Sequence, residues 1–586
     1  MPLKLTPGVK YIASLLKYFI VPPVAVLLAS RGIGTLQQLP PSFYVALTVF
    51  GAPSFFVARS WCRQAYYQRR AASMGARLPP KVKGRWPGNL DVALELGEAL
   101  EKGYPGDGFE HGNIYDLWLT WENVFITSCP EHIQQILATD FSNYLKGEGI
   151  RINFEALLGV GVFTSDGEMW KFHRQMTRPF FTRDRISHFD LFDRHAEIAI
   201  TQVKNRMQAG YPIDFQDLMS RFTLDSATEF LFGSCTHSLT TGRIPYPYYA
   251  DVESFKGDNA IENFVAAFTR ALEVIAMRQY LGHTVWPFLE IFEDKSEAPM
   301  KIVNGFIEPI VKKALEKQKK VGGVVAVKET IGDEETLLDH LVCVTDDPVV
   351  IKDEILNLLI AGRDTTAATL TFSVYFLATY PEVMRRLREE ILSRVGPTRR
   401  PTYEDIKEMK YLRAVINETL RLYPPVPFNT RTNIRGVLWP SPDPNDKPLY
   451  IPPESETSYS VFLMHRRKDL WGPDADEFDP DRFLDDRHKT YLLPNPFIFL
   501  PFNAGPRICL GQQFAYNEVS FMLVKLLQNF SSFSYHPDAA PRDLRRPEEW
   551  NGAPGRKGVD TFYPQMNMTM NCKGGLWVRA KEVEDL

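Results

Sequence analysis

Phe502-Asn503-Ala504-Gly505-Pro506-Arg507-Ile508-Cys509-Leu510-Gly511 is the stretch on which the reading of this chain turns. A cysteine follows a glycine-containing loop and precedes a helix-like run, Gln512–Leu527. A thiolate in that place is stabilised by a helix N-terminus or by a metal. Gly505 permits a turn that other residues resist, and Gly511 permits close approach of a flat ligand. Arg507 offers a fixed cation to a carboxylate. The plain alternative is a cysteine buried in a core, the usual fate of a lone Cys.

Upstream, Pro348 to Tyr380 reads as one long helix, with Asp346 or Asp347 as its cap and Pro381 just past its end. Its middle is apolar nearly all round, which implies burial. A membrane span is the competing reading, but Arg363 and Asp364 sit at its centre, where charge is costly in lipid. The same centre carries Ala361-Gly362-Arg363-Asp364-Thr365-Thr366. A glycine inside a buried helix costs about 1 kcal/mol relative to Ala, so it needs a reason. An acid beside a hydroxyl suits proton relay. The alternative is a threonine bonding back to the preceding turn.

The decapeptide matches, position for position, the F-x-x-G-x-R-x-C-x-G signature of the cytochrome P450 family, and a core cysteine accounts for none of that register. The other motifs follow in the family's order. Ala361–Thr366 resembles the oxygen-activation motif, with Gly362 giving room for dioxygen. Trp170-Lys171-Phe172-His173-Arg174 resembles the W-x-x-x-R helix, whose Trp and Arg contact a haem propionate. Arg431 lies ten residues after Arg421, where many members place another propionate-binding arginine. Surface pairing is the alternative for each arginine, and core packing for the tryptophan. Glu418 and Arg421 resemble the family's buried ion cluster, completed by Arg482 in Asp479-Pro480-Asp481-Arg482-Phe483.

The resemblance covers residues 91 to 586, and the look is nearest to fungal membrane-bound members, including alkane and fatty-acid hydroxylases. It implies a mainly α fold, a large helical body with a long central helix and small β-sheets. It implies haem b (iron protoporphyrin IX), with Cys509 as axial iron ligand and Trp170, Arg174, Arg431, Phe502 and Arg507 around the cofactor. Asp364 and Thr365 are the implied catalytic pair, in a monooxygenase that puts one oxygen atom of O2 into a C–H bond. A haem-thiolate isomerase would share Cys509 without needing that pair, and a haem sensor would share it without turnover.

Residues 1–90 read as a membrane anchor with a basic, proline-rich hinge. Two apolar stretches, roughly Tyr11–Ser30 and Ser42–Ala58, each approach the ~20 residues that cross a bilayer as a helix. Pro22, Pro23 and Pro53 interrupt them. Arg59, Arg63, Arg69, Arg70, Arg77, Lys81, Lys83 and Arg85 follow with no acid among them, which favours a cytoplasmic body. A cleaved signal peptide fits two stretches and this exit poorly. The expected address is the endoplasmic reticulum membrane, with the catalytic domain facing the cytosol.

The composition agrees. In 586 residues, a net charge of −4 argues against nucleic acid as partner. At ~150 residues per domain the length allows about four domains or one large helical fold. The six cysteines show neither C-x-x-C nor C-x-x-C-H spacing, so zinc, thioredoxin-like redox and covalent c-type haem are not indicated. No G-x-G-x-x-G or P-loop lysine occurs. Electrons must therefore come from another protein: the resemblance implies NADPH-cytochrome P450 reductase, with cytochrome b5 as an optional second donor. The substrate is expected to be lipophilic, a fatty acid, alkane, terpenoid or aromatic compound. A surface loop is expected over Gly322–Glu335, and a terminal hairpin over Met568–Ala580 with Gly574-Gly575 inside it.

Overall fold

The computed structural model describes residues 5–30, 40–107, 109, 111–182, 189–251, 259–321 and 335–584. The long helix runs from Pro348 to Thr379. Asp347 caps it, accepting from the Val349 and Val350 amides at 2.8 and 3.4 Å, and Pro381 opens the next helix. Ile351, Ile355, Leu359, Leu370 and Phe376 are fully buried along it. It packs on Phe215–Phe232, Lys410–Leu422 and Gln512–Asn529. That encirclement is why its sequence is apolar on all sides.

The remaining architecture is mainly helical, with small sheets. A five-stranded sheet has the order Ile114–Asp116, Val124–Thr127, Glu456–Ser460, Phe428–Asn433, Tyr144–Leu145. Val124–Thr127 and Glu456–Ser460 pair in parallel, the other neighbours antiparallel. This register sets Arg431 opposite Thr457 and Thr432 opposite Glu456. Glu418, Arg421 and Arg482 meet in a fully buried cluster: Arg421 Nε donates to Glu418 Oε2 at 2.6 Å, and Arg482 Nε lies 3.5 Å from Oε1.

One expectation is corrected. Met568–Ala580 is not one hairpin. Met570–Cys572 pairs with Pro564–Met566, whereas Trp577–Glu582 pairs with Ile213–Asp214 and Phe530–Tyr535. Gly574 and Gly575, both at positive φ, turn the chain from one sheet into the other. In the basic, proline-containing segment, Arg77 bridges Leu449 and Lys81 bridges Asp116 in parallel, and Asn89 Nδ2 donates to Leu117 O at 2.7 Å. The backbone there satisfies its polar groups on the body rather than in water.

The two apolar stretches lie in helices Pro7–Ser30 and Pro41–Ser73. The second continues through Arg59, Arg63, Arg69 and Arg70. Among the described residues, no helix is long and apolar enough to cross a membrane. Both helices dock on the body: Thr6 Oγ1 donates to Ile291 O at 2.6 Å, and Arg63 reaches Trp121 O at 2.8 Å. Residues 322–334 of the expected loop, and Arg31 between the apolar stretches, lie outside the described residues.

Candidate active site

The cysteine loop is closed on itself. Cys509 N donates to Phe502 O and Ile508 N to Gly505 O, each at 3.0 Å. Gly505 has φ 66°, and a methyl there would lie 1.8 Å from Leu137 O, so no side chain fits. Asn503 shares the left-handed region and is held by Tyr459, whose hydroxyl donates to Asn503 Oδ1 at 2.9 Å. The helix Gln512–Asn529 starts immediately after Gly511.

Cys509 is exposed, yet burial pushes its thiol pKa up. The two statements agree because its accessible area opens into a deep cavity of about 730 Å³ rather than onto the outer surface. The Gly511 amide and Arg174 act the other way and favour the thiolate. Phe502 lines the same cavity and packs on Tyr516 with ring centroids 5.0 Å apart.

The central helix supplies another wall through Ala361, Gly362, Thr365 and Thr366. A methyl on Gly362 would meet only Ala227 Cβ, at 3.5 Å. Packing of the protein therefore does not demand glycine there, and the room it leaves belongs to the cavity. Thr365 Oγ1 donates to Ala361 O at 2.7 Å. Asp364 is not among the lining residues. Its carboxylate lies 3.2 Å from Arg363 Nη1, and burial raises its pKa against the opposing pull of that arginine.

Four cations line the cavity: Lys146, Arg174, Arg431 and Arg507. Arg507 Nη2 donates to Asp166 Oδ1 at 2.6 Å and to Ser165 O at 2.8 Å, and its guanidinium lies 4.7 Å from the Trp170 ring. Arg174 donates to Ile508 O at 2.9 Å, Arg431 to Thr430 O at 2.7 Å, and Lys146 to Asn429 Oδ1 at 3.1 Å. Among the described residues, only Arg507 of these four forms an ion pair with a carboxylate. Burial lowers Arg507 to about 10 and lowers Lys146 and Arg174. Clustered cations with so little compensation favour an anionic ligand, and the two carboxylates of a haem fit that need. The cysteine, the cations and the cavity between them together suit that cofactor.

Sequence reasoning missed two groups. Lys146 is remote from every motif and reaches the cations only through the fold. Glu518, nine residues past Cys509, is buried on the cysteine helix near the Ser226 and Thr366 hydroxyls, and burial pushes it up to about 8. A solitary acid ahead of the largely apolar stretch Val519–Val524 was its only trace in the sequence.

A cysteine facing a deep cavity at the start of a helix, in this mainly helical fold, is the arrangement of a haem-thiolate protein. The family described as Cytochrome P450 matches residues 109–550, and the chain belongs to that family. It is a haem-thiolate monooxygenase with haem as cofactor, using dioxygen, an organic substrate and electrons from a reductase. It is 40% identical over 425 residues to Cytochrome P450 52E1 of Candida apicola, covering 72% of this chain and 78% of that protein. It is 39% identical over 493 residues to Cytochrome P450 52-E3 of Starmerella bombicola, covering 80% and 89%. Against Cytochrome P450 52A6 of Candida tropicalis the identity is 35% over 486 residues, covering 80% and 88%.

Proposed function

We propose that this monooxygenase hydroxylates or otherwise oxidises a lipophilic substrate, a fatty acid, alkane, terpenoid or aromatic compound, with Cys509 as the axial ligand of haem b. The observation that carries this reading is the Cys509 thiol opening onto a cavity walled by Leu96, Phe109, Phe154, Phe181, Leu231 and Ile360. A deep, mainly apolar cavity with a few polar groups is what a lipophilic small molecule requires.

The haem, when bound, supplies activation of dioxygen, and a thiolate ligand favours O–O cleavage. The chain's own residues do the rest. Arg174, Arg431 and Arg507, with Trp170 and Lys146, hold the propionates. Phe502 packs beside the cysteine loop. Thr365 offers hydroxyl lone pairs to the cavity, and Asp364, held by Arg363 off the cavity wall, is the acid of the pair, set behind that wall rather than against the hydroxyl. Residues 1–90 anchor the catalytic domain, 91–586, to the endoplasmic reticulum membrane on its cytosolic face. There NADPH-cytochrome P450 reductase, with cytochrome b5 as an optional donor, delivers the electrons. The acid-free basic run Arg59–Arg85 supports that orientation.

The test is the absorption spectrum of the reduced carbon monoxide complex, with NADPH-dependent oxygen uptake in the presence of the reductase. The wild type should show the thiolate-type band and uptake stimulated by lipophilic substrates. Cys509→Ala should lose both. A variant that keeps the wild-type band would remove Cys509 from the iron.

A further inference from the structure

A second group of metal-ligating side chains stands apart from the cysteine loop, where helix Asp190–Gln208 passes the end of helix Phe215–Phe232. His195 comes from the first helix, Glu229 from the last turn of the second, and Cys235 from the chain just beyond it. A ring nitrogen of His195, a carboxylate oxygen of Glu229 and Cys235 Sγ all lie within 4.8 Å of one another. None of the three is among the residues that line the cavity.

Local geometry fixes this convergence. Gly233 ends the second helix at φ 69°, and its amide donates to Glu229 O at 2.8 Å. That turn brings Cys235 back towards the side chain of Glu229. Buried Asp225 then holds the returning chain, accepting from Thr236 Oγ1 at 2.6 Å, Ser238 N at 2.7 Å and Leu239 N at 3.0 Å. Arg194 donates to Glu229 Oε1, which leaves Oε2 facing His195 Nε2 at 2.7 Å. His195 is buried, and its Nδ1 has no hydrogen-bond partner among the described residues. Cys235 forms no disulfide, and its sulfur accepts from the His237 amide at 3.1 Å. The charged neighbours of that sulfur are the Asp225 and Glu229 carboxylates.

We propose that His195, Glu229 and Cys235 bind one zinc ion at a site separate from the haem. Imidazole, carboxylate and thiolate together suit zinc, whereas calcium and magnesium take oxygen ligands. Zinc bonds of about 2.0–2.3 Å place tetrahedral ligand atoms about 3.3–3.6 Å apart, so side-chain shifts of about 1 Å close the set round the ion. On binding, the thiol gives its proton to solvent and the thiolate takes the metal. Thiolate and carboxylate then balance the two positive charges of the ion. Arg194 keeps Oε1 and orients the ligating carboxylate. Water fills the fourth position, and the 25% exposure of the Glu229 side chain gives the ion its way in. Phe230, beside Glu229, lines the cavity and packs on Phe514 of the cysteine helix with ring centroids 5.0 Å apart. The ion therefore braces the helix end that carries this wall residue.

The test loads purified holoenzyme with zinc chloride, desalts it and measures zinc per haem iron by elemental mass spectrometry. The wild type should keep about one zinc per haem. Cys235→Ser and His195→Gln should each lose it, and the reduced carbon monoxide spectrum reports that the variants hold haem. A second measurement needs no variant. Alkylation of Cys235 by iodoacetamide, followed at its own peptide, should be about tenfold or more slower with zinc than with a chelator, because a metal-bound thiolate is a poor nucleophile. Equal zinc per haem in the wild type and Cys235→Ser marks ions bound elsewhere and overturns the site. So does a wild type that keeps no zinc, or alkylation of Cys235 that proceeds equally with zinc and with chelator.

Discussion

Thr365 Oγ1 donates to Ala361 O across 2.7 Å, one turn back along the central helix. Back-bonding of this kind bends a helix slightly and spends the hydroxyl's only proton. The oxygen's lone pairs stay available on the cavity side. The two readings of Thr365 offered by the sequence, local bonding and proton handling, are therefore compatible. Thr365→Ala should still bind haem but release reducing equivalents as peroxide. Product per NADPH should fall by about tenfold or more, the lower end of what a positioned proton-transfer group contributes being larger still. Thr365→Ser should recover most of it. Unchanged coupling in the alanine variant, measured as product and peroxide per NADPH consumed, would end the relay role.

Removing one member of the buried ion cluster should be costly. Glu418 is fully buried with Arg421, and Arg482 is close by. Loss of one partner from such a pair costs roughly 3–5 kcal/mol because the remaining charge stays buried. Arg421 also donates to His465 O, Ala475 O and Glu477 O, which softens the loss without replacing the charge. Glu418→Ala should lower the denaturant midpoint sharply, and Glu418→Gln less. Equal midpoints for the wild type and Glu418→Ala would contradict a structural role.

Glu518 gives stability a definite pH dependence. Burial raises it from 4.5 to about 8 in the folded chain. Between those values the folded state holds a proton that the unfolded chain has released. Its contribution is thus present below about 4.5 and is lost as pH rises through about 8. Between about pH 5 and about pH 8, the melting temperature should fall in the wild type by more than in Glu518→Gln. Parallel decreases in the two proteins would show that Glu518 does not titrate this way.

The sequons Asn417-Glu418-Thr419, Asn529-Phe530-Ser531 and Asn567-Met568-Thr569 should carry no glycan. Asn417 Oδ1 accepts from the Tyr516 hydroxyl at 2.7 Å inside the helical body, so it is not a free loop site. The basic run after the second apolar stretch favours a cytosolic body, where that modification does not occur. Deglycosylation should leave mobility unchanged, and protease should reach the body in intact, right-side-out microsomes. Full protection without detergent would put the body in the lumen and separate it from a cytosolic reductase.

The sequence by itself determined the cysteine loop, the long helix and its cap. Each is local: Gly505, Pro348 and Asp347 act through turn geometry and capping within a few residues. The ion cluster was legible only through resemblance, because Glu418 and Arg421 share a helix but Arg482 arrives from a segment about sixty residues on. Tertiary structure alone decided the rest. Lys146 and Arg431 approach Arg507 only because Tyr144–Leu145 and Phe428–Asn433 pair as strands. Asp364 leaves the cavity wall that Thr365 joins because successive helical residues point about 100° apart, and sequence proximity cannot say which faces inward. The terminal glycines similarly turn the chain between sheets, a choice made by Ile213–Asp214 and Phe530–Tyr535 as pairing partners. Side-chain period and turn chemistry act over a few residues, whereas a cavity wall is assembled from segments hundreds of residues apart, and only packing brings them together.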